Sequence, residues 1–359
     1  MLKNNLTKTR QSNFELLRIV CILMILTLHY CNSKMGGALD IKNVPEGTFN
    51  YYFVRILESL SIVAVNCFIL ITGFFSNKSM KIKAKKVFNL LFILLFYNIA
   101  IYIVAIALKI QNFDNESFNL FFISLHKLGC WFIILYIILY LMIPFINLII
   151  NNISKKQFKF LIIVMIIAFS LYPTFLSDTT VKDEGYGIVN FVMLYLIGAY
   201  INRFNLNNKN GAIYFITYIL MQLLTFINCI NKFTVSGAFA YNSIFNVIGA
   251  IALFLMFSRF RFKSKIINNI SKHTLGIYII HVNIFMYTFL WKTLLKTDSF
   301  YTSKYLALNC IKSVFVIFIA GLVIDIIREK LFNITIEKAF KNNKIYNYEL
   351  KIEGASENE

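Results

Sequence analysis

Long apolar segments alternate with short polar or basic segments along almost the whole chain. A helix needs about 20 apolar residues to cross the hydrocarbon core of a bilayer, and about ten segments approach this length. They lie near residues 14–32, 56–76, 88–108, 128–150, 160–177, 188–202, 211–230, 241–258, 274–292 and 305–327. Only helices and closed barrels satisfy their backbone hydrogen bonds in lipid. The pattern therefore predicts an all-α, polytopic membrane protein with about ten transmembrane helices.

The same pattern divides the chain into three parts. We expect a cytoplasmic N-terminal segment over 1–13, a membrane domain over 14–328 and a cytoplasmic C-terminal tail over 329–359. The tail is polar and is expected to be partly structured at most. Arg18 interrupts the first apolar run and no small-residue cleavage site follows it. This run is therefore predicted to be a retained span rather than a signal peptide.

The composition agrees with a lipid-solvated surface. Of 359 residues, 58% are apolar, 15% are charged and 37 are phenylalanine. An ordinary soluble domain carries about 25% charged residues. These values exclude a soluble enzyme, a secreted disulfide scaffold and a disordered chain. The six cysteines form no CxxC pair, so we interpret them as small apolar packing residues.

The net charge of +19 is distributed in short runs between the apolar segments. If the N-terminus is cytoplasmic, about 24 Lys and Arg residues fall in inner segments and about 10 in outer ones, as the positive-inside rule requires. An even number of spans then returns the C-terminus to the cytoplasm. This distribution favours topology signals over nucleic-acid binding, and no nucleic-acid partner is predicted.

The first predicted span contains two ionisable residues on one face. Arg18 and His29 are eleven positions apart, which returns a helix to within about 20° of the same face and separates the residues by about 16 Å along the axis. Glu15 falls on nearly the same face. Intramembrane ionisable residues are functional candidates by default. The alternative is that Arg18 extends to the inner headgroups while His29 lies at the outer interface.

Other polar residues carry weaker predictions. His281 lies inside the ninth span, where a packed, hydrogen-bonded role and a catalytic role both remain open. Lys272 and His273 lie in a basic loop and are expected to be solvated. Asp325 and Arg328 are three residues apart near the inner end of the last span, which favours a structural ion pair.

Two further segments have two interpretations each. The basic stretch 81–86 is typical of a topology anchor, and it also has the charge to gather a phosphorylated molecule at the inner face. Trp131 and Phe132 begin a span, which fits an interfacial aromatic belt as well as a substrate wall. No HExxH motif, Cys/His cluster or Walker-type glycine loop occurs, so no metal site is predicted.

Several motifs, taken in order, resemble the acyltransferase-3 family of integral membrane acyltransferases. The first is FELLR at 14–18 followed by a ten-residue gap to His29, which is similar to the family's Arg-x10-His signature. Similar segments are CFILITGFF at 67–75, Trp131-Phe132 with Tyr140 and Pro144, and SKHTLGIYIIH at 271–281. The resemblance covers almost the whole chain. One departure is that lysines, Lys83-x-x-Lys86, stand where members often carry Arg-x-x-Arg.

The resemblance implies transfer of an acyl group, usually acetyl from acetyl-CoA, to a hydroxyl of a cell-surface or lipid-linked saccharide. It implies His29 as general base, with no permanently bound cofactor and acyl-CoA as the donor substrate. It also implies donor binding by Arg18, Lys83 and Lys86. The supporting or substrate-binding candidates are Glu15, Trp131, Tyr278 and His281.

The expected location is the bacterial cytoplasmic membrane. The expected partners are acyl-CoA, a glycan acceptor and the bilayer. A homo-oligomer is possible, and the oligomeric state stays open.

Two other classes of protein also remain open. A transporter or flippase for a glycan-related substrate would have a similar number of helices, although repeat-related halves are not evident. A membrane sensor or scaffold would not need an aligned Arg/His pair.

Overall fold

The computed structural model describes residues 10–116, 119, 131–176, 183–206 and 210–353. Helices make up most of this part of the chain. In chain order the elements are α1 (Ser12–Cys31), α2 (Phe49–Ser61), α3 (Ala64–Ser76), β1 (Lys81–Lys83), α4 (Ala84–Ala107), α5 (Trp131–Asn151), α6 (Lys155–Phe175, with a π-helical turn at Ile167–Leu171), α7 (Ile188–Phe204), α8 (Gly211–Asn231), α9 (Ile244–Ser258), α10 (Lys265–Ile270), α11 (Thr274–Val282), α12 (Leu306–Ile334), α13 (Ile336–Phe340) and β2 (Glu349–Lys351).

Seven helical stretches in the described residues are long and apolar enough to cross a membrane, by length and composition. They are α1, α2 with α3, α4, α5, α6, α8, and α12 with α13. Helices α7 and α9 are apolar but shorter. Nine of the ten predicted spans coincide with one or more of these helices, which confirms a polytopic α-helical membrane protein. The count of ten spans and the orientation of the termini stay predictions.

The ninth span departs from the sequence prediction, because the helix does not run continuously over 274–292. Helix α11 ends at Val282, and Asn283 leaves it with extended backbone angles. The Asn283 amide donates to Asn98 Oδ1 at 3.1 Å and accepts from the backbone N–H of Phe285 at 3.1 Å. An asparagine side chain that bonds nearby backbone competes with helix continuation. A π-helical turn, Phe289–Leu294, follows the break.

Helix α1 lies inside the bundle and contacts α2, α3, α9, α11 and α12. Next to it, α3 and α7 approach closely, because Gly73 and Gly198 face each other's helix. A Cβ at either glycine would overlap the backbone of the facing helix, at Tyr195 and Leu70. Small residues allow this close approach of helices in membranes. The tight packing holds α3 against α7, and α3 also contacts α1 and supplies Val65, Phe68 and Thr72 to one wall of the site described below.

The C-terminal tail is more ordered than expected. Helix α12 continues to Ile334, so the predicted domain boundary at 328 falls inside a helix. Beyond it, β2 pairs antiparallel with β1, with Lys83 opposite Glu349. Strands that pair must lie on the same side of a membrane. The structure therefore places the 81–83 segment and the tail on one side, as the predicted topology requires.

We predict that this shared side is the cytoplasm. Single cysteines at Lys78 and Glu353, in a variant lacking the native cysteines, are expected to resist an impermeant maleimide added to intact cells. A cysteine at Glu184 is expected to react, because the charge distribution places that loop outside. Reaction of the Lys78 position from outside would overturn the orientation. Residues 1–9 of the N-terminal segment and 178–182 of the outer loop lie outside the described residues.

His273 is buried rather than solvated, which corrects the sequence expectation. Its Nδ1 lies 2.7 Å from Asp325 Oδ2, and only 5% of the residue is exposed. Arg328 donates two hydrogen bonds of 2.9 Å to the same carboxylate, which confirms the predicted ion pair, and Tyr97 donates a third at 2.6 Å. Gly276 leaves room for this carboxylate, since a Cβ there would overlap it. This cluster of His273, Asp325, Arg328 and Tyr97 connects the start of α11 to α12 and α4.

Asp325→Asn is expected to destabilise the protein strongly. The change removes the charge that compensates the buried Arg328, and breaking a buried ion pair in this way costs about 3–5 kcal/mol. Thermal unfolding of the purified protein in detergent should show a lower midpoint. Asp298→Asn, at an exposed aspartate, is the matched control and should unfold like the wild type. Equal midpoints for the two variants would contradict the structural role of the cluster.

Candidate active site

A cavity of about 430 Å³ opens between α1, α3, α5 and the segment that leads into α11. One part of its wall, the cation end, is formed by Arg10, Arg18, Lys86 and Lys272. The other part, the histidine end, is formed by His29 with Trp131, Tyr241 and Tyr278. Apolar side chains line the space between the two ends. A single internal space therefore joins a group of cations to an imidazole.

Helix α1 supplies both ends of this cavity. Arg18, Ile22, Ile25 and His29 all line it, and their spacing of three to four residues forms one stripe along a helix. The shared face that the sequence predicts for Arg18 and His29 is thus present in the fold. The rise of a helix separates these two residues by about 16 Å.

His29 contacts a second histidine from a distant part of the chain. Its Nδ1 lies 2.6 Å from Nε2 of His281. The other ring nitrogen of His281, Nδ1, lies 2.7 Å from the backbone carbonyl oxygen of Ile277. His281 itself is fully buried behind His29 and does not line the cavity. The break after Val282 ends α11 just beyond this contact.

These contacts fix which nitrogen carries a proton when both rings are neutral. A carbonyl oxygen only accepts hydrogen bonds, so Nδ1 of His281 donates to Ile277. Nε2 of His281 then carries a lone pair, and it accepts a hydrogen bond from Nδ1 of His29. His29 consequently keeps the lone pair on Nε2. The hydrogen bond made by one ring nitrogen sets the state of the other, as is usual for histidine in active sites.

At the cation end, Glu15 orients two arginines. Its Oε2 lies 3.6 Å from Nη1 of Arg10 and 3.7 Å from Nε of Arg18. The same oxygen accepts a hydrogen bond of 2.5 Å from the Ser271 hydroxyl. The Arg18 side chain remains 31% exposed, and its Nε is buried without a hydrogen bond to any described residue. Among the lining residues that the structure describes, Glu15 is the only acid. The cation end therefore carries a net positive charge.

The two lysines predicted to bind the donor lie in different places. Lys86 lines the cavity, with its Nζ 4.2 Å from the centre of the Tyr140 ring. Lys83 lies outside the cavity and forms a 2.7 Å ion pair with Glu349 of the tail. Hydrogen bonds from Lys83 and Lys81 hold the pKa of the Glu349 carboxyl below its usual value. The strand pairing of β1 with β2 turns Lys83 toward the tail, so the fold offers only Lys86 of this pair to the cavity.

The other site candidates are brought together around the histidine end. Trp131 and Tyr278 line the cavity, and Tyr278 packs 6.1 Å from Phe132 between ring centres. Sequence reasoning did not single out Arg10, Lys272 or Tyr241 as site residues. Arg10 and Lys272 have the charge pattern of topology signals, and no periodicity in the sequence points either of them toward α1.

The fold and this cavity define a class, a polytopic helical membrane protein with an internal cavity between a cationic end and a histidine pair. The model of the acyltransferase-3 family, described as an acyltransferase domain, matches residues 11–326. The chain belongs to this family, and it is therefore an acyltransferase and a multi-pass membrane protein. The comparisons with curated proteins and with solved structures found no match.

Proposed function

We propose that the protein transfers an acyl group, in the main acetyl, from acyl-CoA to a hydroxyl of a cell-surface polysaccharide or lipid-linked saccharide. The observation that carries the proposal is the single cavity that connects the cation end, which includes Arg18 of α1, to His29 on the same helix. Family membership supports acyl transfer in general. The cavity adds a place for a polyanionic donor and a base at a distance from it.

The donor binds with its phosphates at the cation end. Guanidinium groups bind phosphate through paired hydrogen bonds, and lysines add point charges. Arg10 and Arg18, held by Glu15, and the lysines Lys86 and Lys272 supply these groups. The acyl-bearing arm then extends along the stripe of Ile22 and Ile25 toward His29. This arrangement places the reacting thioester near a base and keeps its charged portion at the basic end of the bundle.

The chemical step at the histidine end needs one base. The acceptor hydroxyl oxygen bonds to the thioester carbonyl carbon while Nε2 of His29 takes the hydroxyl proton. The carbon–sulfur bond then breaks, and the sulfur leaves as the CoA thiol with the proton that His29 returns. His281 accepts the hydrogen bond from Nδ1 of His29 and stabilises the charge that develops on the ring. His29 thus acts first as a base and then as an acid.

Purified protein with labelled acetyl-CoA tests the proposal. The acceptors are lipid-linked and polymeric saccharides extracted from the organism that encodes the chain. We expect label on the saccharide and release of one CoA thiol for each group transferred. Label that stays on CoA with every acceptor, while reconstituted vesicles move the saccharide across their membrane, would favour a transporter and contradict the proposal.

Arg18→Lys is expected to weaken donor binding more than it slows chemistry. A lysine keeps the positive charge but loses the paired donors of the guanidinium, so we expect the KM for acetyl-CoA to rise about tenfold with kcat little changed. Steady-state kinetics at saturating acceptor measure both values. Arg261→Lys, in the exposed basic segment after α9, is the matched control and should behave like the wild type. An unchanged KM in Arg18→Lys would reduce Arg18 to a topology signal.

A further inference from the structure

Three aromatic rings pack at angles to one another in one cluster next to the histidine end. Between ring centres, Trp131 lies 4.9 Å from Tyr186 and 6.0 Å from Tyr241, and the two tyrosines lie 4.8 Å apart. We name this cluster of rings the aromatic platform. Tyr241 is 7% exposed whereas Tyr186 is 45% exposed. The platform therefore runs from the inside of the protein to its surface.

The platform is continuous with the cavity that contains His29. Trp131 and Tyr241 both line that cavity, and Tyr186, which packs against both rings, extends the cluster outward. Trp131 begins α5 and Tyr186 precedes α7, so the platform lies at the end of the bundle where α1 finishes, away from the cation end. A ligand on the platform would reach His29 from the side opposite to a donor held at Arg18.

The backbone holds the outer ring in place. The carbonyl oxygen of Glu184 accepts a 2.8 Å hydrogen bond from the Tyr241 N–H, and that of Gly185 accepts a 3.1 Å bond from the Asn190 side chain. Gly185 has φ +82°, and a Cβ there would meet the backbone nitrogen of Asn242. These contacts fasten the Tyr186 turn to the loop that carries Tyr241. The platform is thus formed before any ligand arrives, which lowers the cost of binding.

An interfacial aromatic belt would be the ordinary explanation for Trp and Tyr at the end of a membrane bundle. Belt residues face lipid and headgroups. Two of these three rings instead line an internal cavity, and each ring packs on the other two. The arrangement is typical of a ligand-binding wall, where aromatic side chains provide most of the contact area.

We propose that the aromatic platform binds a pyranose ring of the saccharide acceptor and places one of its hydroxyls toward His29. This inference rests on the proposed function and adds the site at which the acceptor binds. One face of a pyranose presents C–H groups, which are apolar and weakly positive, and an aromatic face is apolar and weakly negative. The ring hydroxyls point sideways from such a stack. One edge therefore stays free to meet the base.

Intrinsic fluorescence tests saccharide binding without any turnover. The chain has two tryptophans, and Trp291 is fully buried, so the difference in emission between wild type and Trp131→Phe reports on the platform. The probes are methyl glucoside, cellobiose and chitobiose. Sorbitol, which has hydroxyls but no ring, is the negative control. We expect a saturable change with at least one ring saccharide and none with sorbitol.

Variants at Tyr186 test whether the saccharide binds at the aromatic platform. Tyr186→Ala is expected to weaken the saccharide Kd by about tenfold, since it removes one stacking face, while Tyr186→Phe should retain it. Tyr305→Ala removes another exposed tyrosine at the same end of the bundle and should leave the Kd unchanged. No saturable signal with any ring saccharide, or the same Kd in Tyr186→Ala and wild type, would overturn the inference.

Different results would contradict the proposed acyl transfer and the proposed saccharide site. Saccharide binding that depends on Tyr186, in a protein that transfers no acyl group, would leave the platform standing and contradict the proposed function. Acyl transfer with the same acceptor KM in Tyr186→Ala and wild type would leave the proposed function standing and contradict the platform.

Discussion

His29→Ala is expected to lower the rate of acyl transfer by at least about 10²-fold, because a positioned general base contributes about 10²–10⁴-fold to such a step. The structure gives His29 a cavity-facing position and leaves the lone pair on Nε2. Alanine removes that lone pair without adding bulk. Single-turnover kinetics with labelled acetyl-CoA measure the loss, and equilibrium binding of acetyl-CoA in the same preparation should be unchanged.

Thr27→Ala is the matched control for this variant. Thr27 is on the same helix, and its hydroxyl donates a hydrogen bond to the backbone carbonyl of Leu23 within α1. We expect it to transfer acyl groups at the wild-type rate. Near-wild-type turnover in His29→Ala would remove His29 from the mechanism, and a parallel collapse of His281→Ala would assign the base to His281 instead.

His281→Leu is expected to have the second largest effect, a fall in kcat of about 10²-fold with the acceptor KM little changed. Leucine cannot accept the hydrogen bond from His29 Nδ1, so the His29 ring is free to adopt the tautomer with its proton on Nε2. In that tautomer the nitrogen facing the acceptor has no lone pair. His281 is thus a positioning residue, and the expected loss is in the chemical step.

His281→Gln distinguishes positioning from packing. The Gln amide oxygen extends to about the place of the imidazole Nε2 and accepts a hydrogen bond. We expect this variant to recover about tenfold of the activity lost in His281→Leu, the value of one hydrogen bond of about 1–1.5 kcal/mol. Equal activity in the Leu and Gln variants, with equal thermal stability, would contradict the role assigned to His281.

The spans and the face of α1 were predictable from the sequence because both depend on local spacing. Apolar runs of sufficient length predict helices, and eleven residues place Arg18 and His29 on one stripe whatever packs against it. The ninth span was not predicted correctly. Its apolar run has the right length, and the break depends on a bond from Asn283 to Asn98, which is far away in the chain.

The parts of the site that depend on tertiary contacts could not be predicted from the sequence. The partner of His29 is His281, 252 positions later, and nothing in local periodicity connects them. The residues around His273 in the sequence are those of a solvated basic loop, but in the fold His273 is buried in contact with Asp325. Lys83 matches the position of a family motif, but it forms an ion pair with Glu349 of the tail strand β2. In each case a distant side chain decided the outcome.

Transfer across a sealed membrane tests the central claim most directly. Proteoliposomes are loaded with labelled acetyl-CoA, and the envelope saccharide is added outside. We expect label on the outer saccharide with the wild type, with CoA thiol released inside, and almost none with His29→Ala. Equal labelling by the His29→Ala variant, or entry of unlabelled saccharide into the vesicles with the acetyl-CoA intact, would contradict a His29-dependent acyl transfer through this cavity.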